Sequence, residues 1–82
     1  MLEYAEFRRL PLWSQVEVLR KQGTVVAQRQ HNTWTITLYS LNNHFYERWT
    51  TPEMELVTNF KTMAKPLAIL EPYLEGIEVQ EM

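Results

Sequence analysis

From Thr24 onward the apolar residues recur at every second position. They do so in four runs, TVVAQRQ, TWTITLYSL, HFYERWT and MELVTNFKT. Val, Ile, Thr and aromatic residues dominate these runs, as they do in strands, where branched and ring side chains pack well on a pleated surface. His31-Asn32, Asn42-Asn43 and Thr51-Pro52-Glu53 separate them. A parallel crossover needs about a dozen residues or more. Links this short leave only an antiparallel meander in strand order 1-2-3-4.

Helical periodicity flanks the meander. Leu12, Val16 and Leu19 recur at i, i+4 and i+7, behind a proline that suits a helix start and ahead of Gly23, which suits a helix end. The spacing predicts an amphipathic helix over about 11–22, with Arg20 and Lys21 favourably placed in its last turn. Tyr4 and Phe7 are three apart, which allows a further helical turn within 2–9. At the other end Pro66 suits a second helix start. Pro72 lacks an amide proton and clashes with the preceding turn. A short helix over about 66–71 is expected to break there, with another helical turn through Glu75 stopped by Gly76. Leu67, Leu70, Tyr73, Leu74 and Ile77 form its apolar side. The expected fold is α+β in one domain spanning 1–82: an N-terminal helix, a four-stranded antiparallel β-meander and a broken C-terminal helix.

Asparagine tolerates the positive φ of a two-residue hairpin turn, so Asn42-Asn43 sets a register. Leu41 then faces His44, Ser40 faces Phe45, Tyr39 faces Tyr46, Leu38 faces Glu47 and Ile36 faces Trp49. Turns at His31-Asn32 and Thr51-Pro52 place Ala27 opposite Ile36, Val25 opposite Leu38, Arg29 opposite Trp34, Trp49 opposite Met54 and Arg48 opposite Glu55. One face collects Val25, Ala27, Trp34, Ile36, Leu38, Phe45, Trp49, Met54, Leu56 and Phe60. Helix 11–22 is its expected cover. The other face is mixed, with Tyr39, Leu41, His44, Tyr46, Arg48 and Val57 among its members.

Composition narrows the chemistry. A domain of 82 residues buries only roughly 60% of its unfolded surface and is commonly supported by disulfides, a metal or a second subunit. The chain has no cysteine, which removes disulfides, thiolate catalysis and Cys-ligated zinc. Two histidines, His31 and His44, make no His-rich metal site without carboxylates. Self-association is the support that remains. Charged residues interrupt the first ten positions, and no apolar run approaches the roughly 18 residues of a membrane span, so a soluble cytoplasmic protein is expected. The net charge of −2 argues against a nucleic-acid partner. It is uneven, with a net of +2 over residues 1–31 and −4 over 66–82.

Several constellations carry two readings each. Glu47 falls on the apolar face. It is either a tuned acid, base or ligand contact, or a carboxylate that reaches the rim or pairs with a base such as Arg20. Tyr39, Leu41, His44, Tyr46, Arg48 and Val57 form an aromatic, aliphatic and basic surface. It could meet a second subunit or a protein partner, lie beneath the chain's own terminal helix, or stack the bases of a single strand. Arg48 and Glu55 read as an exposed cross-strand pair. Arg29 is placed for a cation–π contact with Trp34. The histidines read as solvated turn residues, and neither has a serine placed for nucleophilic catalysis.

The stretches LPLW before the first helix, LYSL and HFYERW across a hairpin, and LEPYLE near the end resemble those of a small uncharacterised bacterial family. Its members are about this length, with a helix, β-meander, helix layout. The resemblance covers most of the chain and implies no activity, ligand or catalytic residue. Four antiparallel strands followed by a helix are also similar to single-strand-binding modules of the Whirly type, from which the acidity and the N-terminal helix depart. The expectation is a non-enzymatic interaction module, homodimeric through the open sheet face, with no cofactor or metal. Single-strand binding across Tyr39, Tyr46 and Arg48 is the first alternative, and a ligand site or enzyme around Glu47 the second.

Overall fold

The structure, a computed structural model, describes residues 3–60 and 65–74. Its elements follow the expected order: α1 (Tyr4–Arg9), α2 (Leu12–Gln22), β1 (Thr24–His31), β2 (Trp34–Leu41), β3 (His44–Thr50), β4 (Glu55–Asn59) and α3 (Pro66–Leu74). The strands form one antiparallel sheet in order β1-β2-β3-β4. Among the described residues, no helix is long and apolar enough to cross a membrane.

The central hairpin has the expected pairing residue for residue, from Leu41 opposite His44 to Ile36 opposite Trp49. Asn42 and Asn43 take φ of 50° and 66°, the left-handed pair that matches the twist of the flanking strands. The outer pairings are each displaced by two residues. Between β1 and β2 the turn is Asn32-Thr33, so Ala27 opposes Leu38, Arg29 opposes Ile36 and His31 opposes Trp34. The left-handed residue is again an asparagine, Asn32 at φ 56°. Between β3 and β4 the loop takes Thr51 to Met54, and the amides of Glu53 and Met54 donate to Thr51 Oγ1. Trp49 therefore opposes Leu56, and Arg48 opposes Val57. A displacement of two preserves the sorting of faces, because side chains alternate with period two.

Two residues leave the face assigned to them. A bulge between Val25 and Ala27 turns Val25 opposite Tyr39, and Val25 is 58% exposed. Met54 is drawn into the turn and is exposed as well.

The covering of the sheet is the reverse of expectation. Leu19 of α2 and Phe7 of α1 pack with Tyr39, Leu41 and Tyr46, so the N-terminal helices cover the mixed face. Ile69 and Tyr73 of α3 pack with Ile36 and Leu38, flanked by Ala27, Trp34, Phe45, Trp49 and Phe60. Leu19, Ile36 and Leu38 are wholly buried, each burial contributing about 1.5–3 kcal/mol. Helix α3 runs through Pro72 without the expected break. The proline leaves only the Ala68 carbonyl without its usual donor, near the helix end, and Tyr73 just beyond is anchored in the core. The turn expected through Glu75 and Gly76, with Ile77, lies outside the described residues.

Candidate functional site

Tyr39 and Tyr46 are paired across β2 and β3 and were expected to stand open. They are 5% and 1% exposed. The Phe7 ring lies 4.4 Å from that of Tyr46, and Tyr4 stacks on His44 at 4.6 Å. The Tyr4 hydroxyl donates to Asn59 Oδ1 at 3.1 Å, tying α1 to the edge of β4. Burial is the main cause that pushes the Tyr46 phenol up to about 12, helped by Tyr4 and opposed by Arg8. The set Tyr39, Leu41, His44, Tyr46, Arg48 and Val57 does share one face, but α1 and α2 lie on its tyrosines. The two tyrosines expected on an open face are therefore covered by the chain's own helices. The rings that looked amphipathic in sequence supply apolar area to the chain's own helices.

Arg48 keeps its expected partner. Its Nε donates to Glu55 Oε2 at 2.6 Å, diagonally rather than directly across. Burial pulls its pKa down, but the bonds to Glu55 and Tyr39 outweigh this and raise it overall.

Glu47 sits on the opposite face, 7% exposed. Three groups from three elements converge on its carboxylate. The Tyr73 hydroxyl donates to Oε2 at 2.5 Å, the Trp49 indole to Oε1 at 3.3 Å, and Arg29 approaches Oε2 at 3.6 Å. The base is thus a strand residue, not Arg20. The Arg29 guanidinium lies 5.6 Å from the Trp49 ring and 5.1 Å from the Tyr73 ring. These replace the expected Trp34 contact; Trp34 meets Trp49 edge-on instead. Arg29 Nε is buried and makes no hydrogen bond among the described residues, so ring faces and the Glu47 charge hold the guanidinium. Burial first, and then Glu47, raise the Tyr73 phenol above its ordinary range. The cluster fastens α3 to the sheet. Both Glu47 oxygens are engaged by the chain itself.

Among the described residues, the sheet itself leaves an edge exposed. β1 and β4 end the sheet. β4 is five residues long, behind Pro52 and Glu53, and thus blunted in the usual way. β1 is eight residues long and contains neither Lys nor Pro. Its one arginine turns inward to Glu47. In a two-residue hairpin the closing pair, here His31 and Trp34, exchanges both backbone bonds. By alternation Arg29 and Ala27 also bond inward, and Gln28 and Gln30 turn their N–H and C=O groups outward. Val25 and Val26, 58% and 43% exposed, adjoin that row. The run TVVAQRQ carried the signal, an edge strand without a blocking residue, but sequence reading treated it only as sheet.

No family model, no curated protein and no solved structure matches this chain.

Proposed function

We propose that this chain is a non-enzymatic interaction module that self-associates, two copies pairing antiparallel along β1. One observation carries the reading: both sheet faces are covered by the chain's own helices, while the eight-residue edge of β1 has no strand neighbour among the described residues. A row of unpaired backbone donors and acceptors is a template for another strand. Pairing centred on Gln28 sets Gln28 against its own copy, Val26 against Gln30 and Arg29 against Ala27, so no like charges meet. The joined sheet would support a core that is small for a chain without a disulfide. A chain this short without cysteine also fits a cytoplasmic setting, because secreted domains of this size usually rely on disulfides.

Gln28→Pro tests the reading. Proline is tolerated on an edge strand where its missing N–H faces solvent. Light scattering should give twice the 9.9 kDa chain mass for the wild type and the single mass for the variant, with unchanged circular dichroism. A monomeric wild type at high micromolar concentration, or a dimeric variant, would reject the proposal.

A further inference from the structure

We propose that the outer corner between α1 and α2 is a second docking surface, shaped for an acidic, partly apolar segment of a partner protein. Trp13 is 73% exposed and Leu12 beside it 40%. Both stand in the first turn of α2, where Leu12 is the exposed start of the stripe that Val16 and Leu19 bury and Trp13 is turned away from that stripe. An exposed indole beside a second apolar side chain and rimmed by charge marks an interaction site more than chance surface.

The corner is preorganised. Gln15 Nε2 donates to the carbonyls of Phe7 at 3.1 Å and Arg8 at 3.4 Å, pinning the last turn of α1 against the first turns of α2. That fixes Arg8 and Arg9 near the helix start that carries Trp13, and a shallow depression opens between Ala5, Arg8 and Arg9. Arg20 follows Trp13 by seven residues, two turns along the same helical stripe. Lys21 is neutralised by Glu17 at 2.8 Å, and Arg8 lies over the Tyr4 ring at 5.5 Å. Arg9 and Arg20 are exposed and lie in no close ion pair among the described residues, although Glu17, one turn from both Trp13 and Arg20, attracts the Arg20 guanidinium. Glu3 and Glu6 lie toward the other end of α1.

An exposed indole close in the chain to Arg8 and Arg9, with Arg20 two turns along its stripe, calls for carboxylates beside an apolar side chain. Trp and Arg are also the residues on which protein interfaces concentrate their energy. Nucleic acid is the weaker fit, because the chain carries a net −2. A lipid surface is weaker too, because the apolar side of α2 is already spent on the sheet, leaving Leu12 and Trp13 to insert.

The test is fluorescence anisotropy of the whole chain with a labelled short peptide of alternating Glu and Leu. Oligothymidylate and anionic phosphatidylserine vesicles serve as competing probes. Saturable, salt-sensitive binding of the peptide is expected. Trp13→Ala and Arg20→Glu should each weaken it about tenfold or more, corresponding to roughly 1.4 kcal/mol or more, with unchanged circular dichroism. Gln28→Pro should bind as the wild type does, which separates this surface from pairing along β1. Absence of peptide binding, indifference to Trp13→Ala, or tighter binding of either competing probe would overturn the proposal.

Discussion

Tyr73 and Glu47 meet where α3 crosses the sheet, the phenol donating to the carboxylate at 2.5 Å in a site closed to water. This bond is the polar link that fastens α3 to the sheet. Removing one partner of a buried hydrogen bond leaves the other unsatisfied. Tyr73→Phe should therefore destabilise the fold by about 1–3 kcal/mol, although the ring is kept. Arg29→Ala leaves the charge uncompensated and should cost more, about 3–5 kcal/mol. Urea unfolding followed by circular dichroism measures both. A double-mutant cycle with Glu47→Gln should show that Tyr73 and Glu47 are coupled rather than additive.

Stability should fall in alkali. An unfolded tyrosine ionises near about 10. Burial and Glu47 hold the Tyr73 phenol above that, and burial pushes Tyr46 up to about 12. Both folded values are raised, so the folded chain keeps protons that the unfolded chain releases. Their contribution is complete below the unfolded value and is lost as pH climbs through the folded ones. The urea midpoint should hold level up to about pH 9.5 and decline between about pH 10 and 12. Tyr46→Phe should make that decline shallower. A midpoint unchanged throughout that range contradicts the burial of both phenols.

Gly23 is required for space rather than for backbone freedom. Its φ of −80° is ordinary, yet a Cβ there would sit 2.7 Å from the Leu19 carbonyl oxygen, which accepts the Gly23 amide at the end of α2. Gly23→Ala must displace the helix end and should cost roughly 1–3 kcal/mol, read as a lowered thermal midpoint.

The hairpin turn gives a prediction of the opposite sign. Asn43 holds a φ of 66°, which costs glycine nothing and a β-branched residue a good deal. Asn43→Gly should be neutral or stabilising, and Asn43→Val should destabilise by about 1–2 kcal/mol, both measured by urea unfolding.

The same turn explains what was legible in sequence. Asn42-Asn43 demands one turn geometry, so the β2–β3 pairing could be read without error. His31-Asn32 and Thr51-Pro52 demand less. The chain turns at Asn32-Thr33 and uses the Thr51 hydroxyl as a turn acceptor, displacing each outer strand by two. Which helix covers which face was not legible. Both faces carry enough apolar area, and Tyr39 and Tyr46 look polar by their hydroxyls while packing by their rings. Glu47 stood out because a carboxylate on the apolar face needs a partner; the expected register set it between Leu38 and Leu56, whereas the two-residue displacement of β4 puts Thr58 opposite it. Arg29 and Tyr73 could not be named, since one depends on the outer register and the other on the docking of α3.

Hydrogen exchange at Gln28 and Gln30 tests pairing along β1 most directly, because their amides face outward in the single chain. Their protection should rise with protein concentration, while Arg29 and Ala27 stay protected throughout. Fast exchange at Gln28 and Gln30 at every concentration, with the rest of the sheet protected, would contradict the pairing.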